Sequence, residues 1–259
     1  MEFWIVGVTS GAGWGTISRR GRHDQSLAAG IFQAMDALTI LFRDECLIAV
    51  DKPSGLAVHR GWSRERDVAM VRVRDQIGAR VFPVHRLDRA TSGVLLFALS
   101  AEISARVCAA FAAGEVEKTY LALVRGVPPE QGLVDHPLPP GEDPHAPRVP
   151  AQTAFVRREV FGRYSLVEAH PLTGRLHQVR RHLKHIACPL IGDVNYGKGE
   201  HNRLFRERHG LHRLFLHACR VRLPHPLRPG RLDIAAPLPE ELAAVLRALR
   251  AECERPALP

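Results

Sequence analysis

The stretch His85-Arg86-Leu87-Asp88-Arg89-Ala90-Thr91-Ser92-Gly93 sets one carboxylate between two arginines, just ahead of the apolar run Val94–Leu99. A carboxylate so placed can serve as a nucleophile or accept a proton, provided that it stays ionised, and a neighbouring guanidinium favours the charged form. An Asp considered alone more often makes a structural salt bridge or caps a turn. Ser92 is the other nucleophile in the stretch, but neither an evident base nor a G-x-S-x-G setting accompanies it. Thr91, Ser92 and Gly93 are therefore read as shaping the loop. His177, His182 and His185 invite a metal assignment, yet their spacing differs from H-E-x-x-H and no carboxylate interleaves, so no metal is expected. Cys46, Cys108, Cys188, Cys219 and Cys253 are scattered without a C-x-x-C pair, which argues against a disulfide framework or a zinc cluster. The glycines of Gly11-Ala12-Gly13-Trp14-Gly15 miss a dinucleotide-loop spacing because position 16 is Thr.

Charge points to the partner class. The chain of 259 residues carries a formal net charge of +9. From Leu172 to Arg231 there are 13 Lys or Arg against 3 Asp or Glu, whereas the remainder carries 23 against 24. The whole excess thus falls in one segment, which favours a face built for a polyanion over a uniformly basic surface. Apolar residues make up 46%, enough for a real core, and no apolar run approaches the roughly 20 residues needed to cross a bilayer. A cytoplasmic protein without a membrane partner is expected.

These residues need a scaffold, and periodicity supplies most of it. The first 34 residues show neither helical nor strand periodicity and read as an irregular extension, with the catalytic domain over 35–259 and Met35 as a possible natural start. Leu47–Val50 reads as a buried strand ending in the turn Lys52–Gly55, and Asp67–Ile77 as a helix. The Asp88 stretch falls in a loop before the core strand Val94–Leu99. An Ala-rich helix over Ala101–Ala113, stopped by Gly114, precedes a strand over Lys118–Val124. Pro128–Pro150 reads as a loop with little order of its own. Gln152–Arg157 and Tyr164–Ala169 can pair as antiparallel strands. Arg175–Ala187 reads as a helix that buries Leu176, Val179, Leu183 and Ile186 on one stripe and leaves His177, Arg180, Arg181 and Lys184 on its other faces. Strands over Leu214–Leu223 and Leu232–Ala235 and a helix over Glu240–Arg250 complete the chain.

HRLDRATSGVLLFA, EKTYLALVRG and PLTGRLHQVRRHLKHIACPLIGDVNYG, in that order between Leu47 and Leu223, resemble the three signature blocks of the pseudouridine synthases related to ribosomal large-subunit synthase A. Flanking stretches such as HRGWSRERD and HNRLFRERHGLHRLFLHA resemble most closely the members that act on the T stem of certain tRNAs. The resemblance implies an α/β (α+β) fold: a long, mostly antiparallel mixed sheet, flanking helices and a central basic cleft. It implies Asp88 as the catalytic carboxylate, Arg180 as its guanidinium partner on the exposed side of the 175–187 helix, and Tyr120 beside a flipped base. Arg86, Lys118, Arg175, His177 and Arg181 are the implied RNA contacts, although a strand-end surface role suits Lys118 nearly as well. His182 and His185 are expected on RNA or at the helix surface. The implied substrate is RNA, tRNA before ribosomal RNA, handled by a monomer without metal or cofactor. A glycosylase would need a water-activating group that the sequence does not offer, and a catalytically silent RNA-binding module would not need Asp88.

Overall fold

Why Asp88 ends up beside Arg180, 92 residues away, follows from how the strands are ordered. The computed structural model describes residues 37–59, 67–141, 143 and 145–254. The expected irregular extension and the start at Met35 lie outside these residues. Among the described residues, ten strands form one mixed sheet, and no helix is long and apolar enough to cross a membrane.

The strands are β1 (Thr39–Arg43), β2 (Leu47–Lys52), β3 (Phe82–Pro83), β4 (Ser92–Ala98), β5 (Glu117–Arg125), β6 (Gln131–Asp135), β7 (Gln152–Phe161), β8 (Tyr164–Pro171), β9 (Leu216–Pro224) and β10 (Arg231–Ala235). Their order is β1-β2-β4-β9-β5-β8-β7-β6, with β3 added on β4 and β10 on β9. All pairings are antiparallel except β4 with β9, where Ser92 opposes His217 and Gly93 opposes Ala218. That parallel seam joins two antiparallel halves, and it lies at the end of the Asp88 loop. Gly93 has φ +115°, and a Cβ there would come within 2.2 Å of the Ala218 carbonyl oxygen, so only glycine permits the close approach.

Among the described residues, five helices cover the sheet: α1 (Ala69–Ile77), α2 (Ala101–Ala112), α3 (Gln178–His185), α4 (Gly199–His209) and α5 (Glu240–Glu254). β4 is buried throughout and β2 at every residue but Asp51, so alternation sorts their side chains between two layers instead of between core and water. Leu47, Ala49, Val94 and Leu96 pack with Ile103 and Val107 of α2. Ile48, Val50, Leu95 and Phe97 pack with Ala69 and Val73 of α1. In the other half, α3 sends Val179 and Leu183 against β5, β7 and β8, while α4 and α5 pack against Leu123 and Leu166. Tyr120 of β5 packs against both the α1 cluster and the α3 cluster. A cleft of about 1030 Å³ opens there.

Three local expectations change. The 128–150 segment is not without order: β6 pairs with β7, and a bridge between Leu138 and Val149 closes a hairpin beyond it. Its polar residues hid a strand at the sheet edge. The 175–187 helix is shorter, because His177 (φ 52°) and Ala187 (φ 61°) take left-handed backbone angles that bracket Gln178–His185. Most consequentially, Arg180 is 6% exposed and not on a solvent face. α4 and β1 had not been foreseen, since α4 is mostly polar and β1 is largely exposed.

Candidate active site

The Asp88 loop is held from beneath by Lys52, the last residue of β2. This lysine is fully buried, and its Nζ donates to the carbonyls of Pro53 (2.8 Å), Leu56 (2.7 Å) and Arg89 (3.2 Å). Burial, with Arg213 nearby, pushes its pKa down to about 7. Three accepting carbonyls match the three donors of an ammonium, however, and a neutral amine has only two, so the geometry favours the charged form. Ser54 Oγ donates to Ala90 O (2.8 Å), Gly55 N to Arg89 O (2.8 Å), and Thr91 N to Asp88 O (3.0 Å). Leu87, 6% exposed, anchors the loop in the core next to Asp88. The loop is therefore fixed on both sides of its carboxylate.

His85 completes the support. Its Nε2 accepts from Leu96 N at 3.0 Å and its ring stacks on Phe111, so the imidazole is structural. Burial, then the Lys118 charge, lowers its pKa to about 4. Ser92 is buried too: Arg213 Nη2 donates to its Oγ at 2.7 Å, and the hydroxyl lies 2.9 Å from His217 Nδ1. His217 Nε2 faces the Ala236 carbonyl, which makes Nδ1 the acceptor for the Ser92 proton. A serine with a histidine partner is present after all, but at 1% exposure it ties β4 to β9 and reaches no substrate.

The opposite wall is α3. Gln178, 4% exposed, fixes its start with all its polar capacity: Oε1 accepts from Thr173 Oγ1 (2.6 Å) and Arg175 N (2.9 Å), and Nε2 donates to Gln152 O (2.8 Å) and Thr153 Oγ1 (3.0 Å). Arg180, two residues on, is shared between two carboxylates. Its Nη1 donates to Asp88 Oδ2 at 3.2 Å, while Nε and Nη2 fork onto Asp193 at 2.7 and 2.9 Å. The Asp193 side chain is fully buried, that of Asp88 17% exposed. Burial alone would raise the pKa of Asp193, but Arg180 and the Tyr196 and Asn195 N–H groups outweigh it and hold the pKa below the ordinary value. Asp193 thus takes the larger share of the guanidinium, and Asp88 is not locked in a bidentate pair. Tyr196 lies under the guanidinium at 5.1 Å, and its hydroxyl is 3.1 Å from His177 Nδ1.

The residues expected from the sequence gather here, with one exception. Asp88, Arg86, Tyr120, Lys118, Arg175, His177 and Arg180 all line the cleft, but Arg181 does not. Arg181 instead turns to the carbonyls of Pro139 and Leu176, 3.4 Å from each. His177 Nε2 is 3.9 Å from Asp88 Oδ1. Burial lowers its pKa, while Asp88 opposes the shift. Lys118 is no free surface lysine: its Nζ donates to Thr173 O at 3.1 Å and burial lowers its pKa. Tyr120 stands on the floor beside Leu216, and its hydroxyl has no hydrogen-bond partner among the described residues. Burial first, and Asp88 second, push its pKa well above the ordinary tyrosine value, so it stays a protonated donor. Arg175 donates from Nε to Pro150 O at 3.1 Å, and Arg86 is exposed. Among the lining residues Asp88 is the sole carboxylate, against Arg86, Arg89, Lys118, Arg175 and Arg180. Such walls suit an anion with a planar base laid on Tyr120.

Sequence reasoning missed Lys52, Gln178, Asp193 and Tyr196. Only Asp193 carried a signal, as one of the three acidic residues in the basic segment 172–231. His182 was expected near the surface, yet it is fully buried, with Nδ1 2.9 Å from Thr153 Oγ1 and Nε2 3.0 Å from the His136 carbonyl. Asp44, Cys46 and His225 also converge, with ligand atoms within 4.8 Å of one another. His225 Nδ1 accepts from Leu227 N and Arg228 N, so Nε2 keeps its proton and donates to Asp44 at 2.9 Å. Metal binding through Nε2 would then require an imidazolate, and the cluster reads as a tie between two turns.

Residues 46–185 match the family model described as RNA pseudouridylate synthase. The chain is 44% identical over 224 residues to a protein of Vibrio cholerae serotype O1 named tRNA pseudouridine synthase C, covering 78% of this chain and 92% of that one. It is 42% identical over 221 residues to a Pasteurella multocida protein of the same name, covering 77% and 90%. Among solved structures, human RNA Pseudouridylate Synthase Domain Containing 4 superposes with a TM-score of 0.70 at 26% identity, over 87% of this chain and 98% of that one.

Proposed function

The chain belongs to the RNA pseudouridylate synthase family, and from that premise we propose that it isomerises one uridine in the T stem of tRNA, position 65, through Asp88. The reaction breaks the bond between uracil N1 and ribose C1′, turns the base, joins C5 to C1′, loses the C5 proton and gains a proton at N1. Atoms and electrons balance within the nucleotide, so no metal, cofactor or hydrolytic water is needed. Asp88 serves either by adding covalently or by accepting a proton, and both roles need the anion.

The observation that carries this reading is the unequal sharing of Arg180. With Asp193 taking two contacts and Asp88 one, the Asp88 carboxylate is oriented by a guanidinium N–H at one oxygen, with the other oxygen free of the guanidinium. Tyr120 offers a face for the base and a protonated hydroxyl next to it. Arg86 fills the gap left in the stem when the uridine leaves it; extruding the base costs a few kcal/mol, which stacking and phosphate contacts offset. The relatives named for tRNA support tRNA as the substrate. Because the sheet and α3 hold these groups on rigid elements, the site is formed before RNA arrives.

Asp88→Asn is the direct test. The variant should bind a tRNA transcript and form no pseudouridine, and parent-like product from it would end the reading. Mapping of pseudouridine in cells lacking the gene tests the target, since loss at a ribosomal site with position 65 intact would replace tRNA by ribosomal RNA.

A further inference from the structure

We propose that His136, Arg148, Arg181 and His185 form a second phosphate-binding subsite for the RNA backbone, outside the base pocket and fed by the hairpin that follows β6; this rests on the RNA substrate proposed above. The imidazoles of His136 and His185 stack with centroids 3.8 Å apart and planes 16° from parallel. Arg148 Nη1 donates to His136 Nε2 at 3.0 Å and to Pro137 O at 3.3 Å. The Arg181 guanidinium is held over the same hairpin by the Pro139 carbonyl. Two guanidinium groups and two imidazoles thus converge from α3 and the hairpin.

Among the described residues, the carboxylates nearby do not neutralise them. Asp135 accepts from Gln152 Nε2, and Asp143 caps His145 N. Lys184 lies over the Tyr196 ring, and His182 is buried and neutral, with its Nε2–H spent on the His136 carbonyl. The cluster is continuous with the cleft: Pro140 and Gly141 of the hairpin line it, as does Arg175, which reaches Pro150 at the hairpin's other end. A duplex lying in the cleft has further phosphates to place on its rim, and the Arg148 and Arg181 guanidinium groups, held by carbonyls and the His136 ring, have no carboxylate partner among the described residues.

The stack also predicts how this subsite responds to pH. Nε2 of His136 can accept from Arg148 only while the imidazole is neutral. Burial, with His185, Arg148 and Arg181 around it, holds the His136 pKa below its ordinary value. A phosphate placed among them reverses those neighbours' effect, so RNA binding takes up a proton and tightens as pH falls.

The test compares the parent with Arg148→Gln and with His136→Asn in binding a tRNA transcript. His136→Asn leaves the main-chain bonds of residue 136 in place, and the exposed His185→Asn is the second variant should the first unfold. Arg148→Gln should lower the slope of log K against log salt by about 0.9, so that its gap from the parent shrinks about 3.5-fold when salt is raised fourfold. His136→Asn should remove part of the proton uptake measured calorimetrically at pH 6.5 in two buffers. A folded Arg148→Gln with the parent's salt slope, or folded histidine variants with the parent's proton uptake, overturn the subsite. Failure of the parent itself to bind the transcript overturns the RNA reading instead, and the subsite with it.

Discussion

Replacing Asp193 by Asn separates the roles of the two carboxylates on Arg180. The substitution keeps the side chain's shape and removes one buried charge, so that Arg180 keeps one amide oxygen as an acceptor and has Asp88 as its one carboxylate partner among the described residues. Losing one partner of a buried ion pair costs about 3–5 kcal/mol. The lower end applies, because Asp88 remains 3.2 Å away and Tyr196 still lies under the guanidinium. About 3 kcal/mol in a domain of this size lowers the melting temperature by roughly 6–12 °C. Chemistry should suffer as well: a guanidinium freed from its fork swings onto Asp88, stabilises the anion further and makes it a poorer nucleophile or base. Asp88→Asn, by contrast, removes the more exposed carboxylate and should cost at most about 1 kcal/mol. Thermal unfolding of both variants and single-turnover pseudouridine formation by Asp193→Asn provide the readout. An Asp193→Asn protein that melts within 2 °C of the parent, or less far below it than Asp88→Asn does, would refute the division of charge argued here. The stability that Asp193 contributes is present above its unfolded pKa of about 3.9 and is lost as pH falls through its depressed folded value.

Gly93→Ala should destabilise by about 4 kcal/mol, combining a positive φ with a Cβ driven onto Ala218, and a urea midpoint unchanged from the parent would contradict the seam geometry. His217 has a folded pKa lowered to about 4, so between pH 6.5 and 4 the unfolded chain binds the extra proton and stability falls with pH by about 1.4 kcal/mol per unit. His217→Gln should remove that one-proton slope in urea titrations at pH 5 and 6, and an undiminished slope would assign the titration elsewhere. Tyr120→Phe keeps the ring and loses a hydroxyl without a partner among the described residues, so its melting temperature should match the parent's. Tyr120→Leu should weaken productive binding by the roughly 1–3 kcal/mol of one base stack, and equal KM for the Phe and Leu variants would remove Tyr120 from the base platform.

Much of this was written locally in the chain. The apolar runs at Leu47–Val50 and Val94–Leu99, the Gly114 stop and the antiparallel pair before Pro171 follow from burial periods and turn chemistry, which neighbouring residues decide among themselves. The Asp88 stretch could likewise be read as a loop against a core strand, because Gly93 and the apolar run define that boundary. What could not be read was which groups meet. Arg180 looked exposed by helical periodicity, since period reports only the apolar stripe and cannot see a carboxylate brought in from Asp193. Lys52 looked like part of a turn, yet strand pairing turned it inward beneath three carbonyls. The parallel seam between β4 and β9 sets Asp88, Tyr120 and α3 around one cleft, and such a seam rests on backbone bonds between residues more than 120 positions apart. Residue types thus determined the chemistry available to this protein, and tertiary pairing decided which carboxylate holds the arginine and which is left to react.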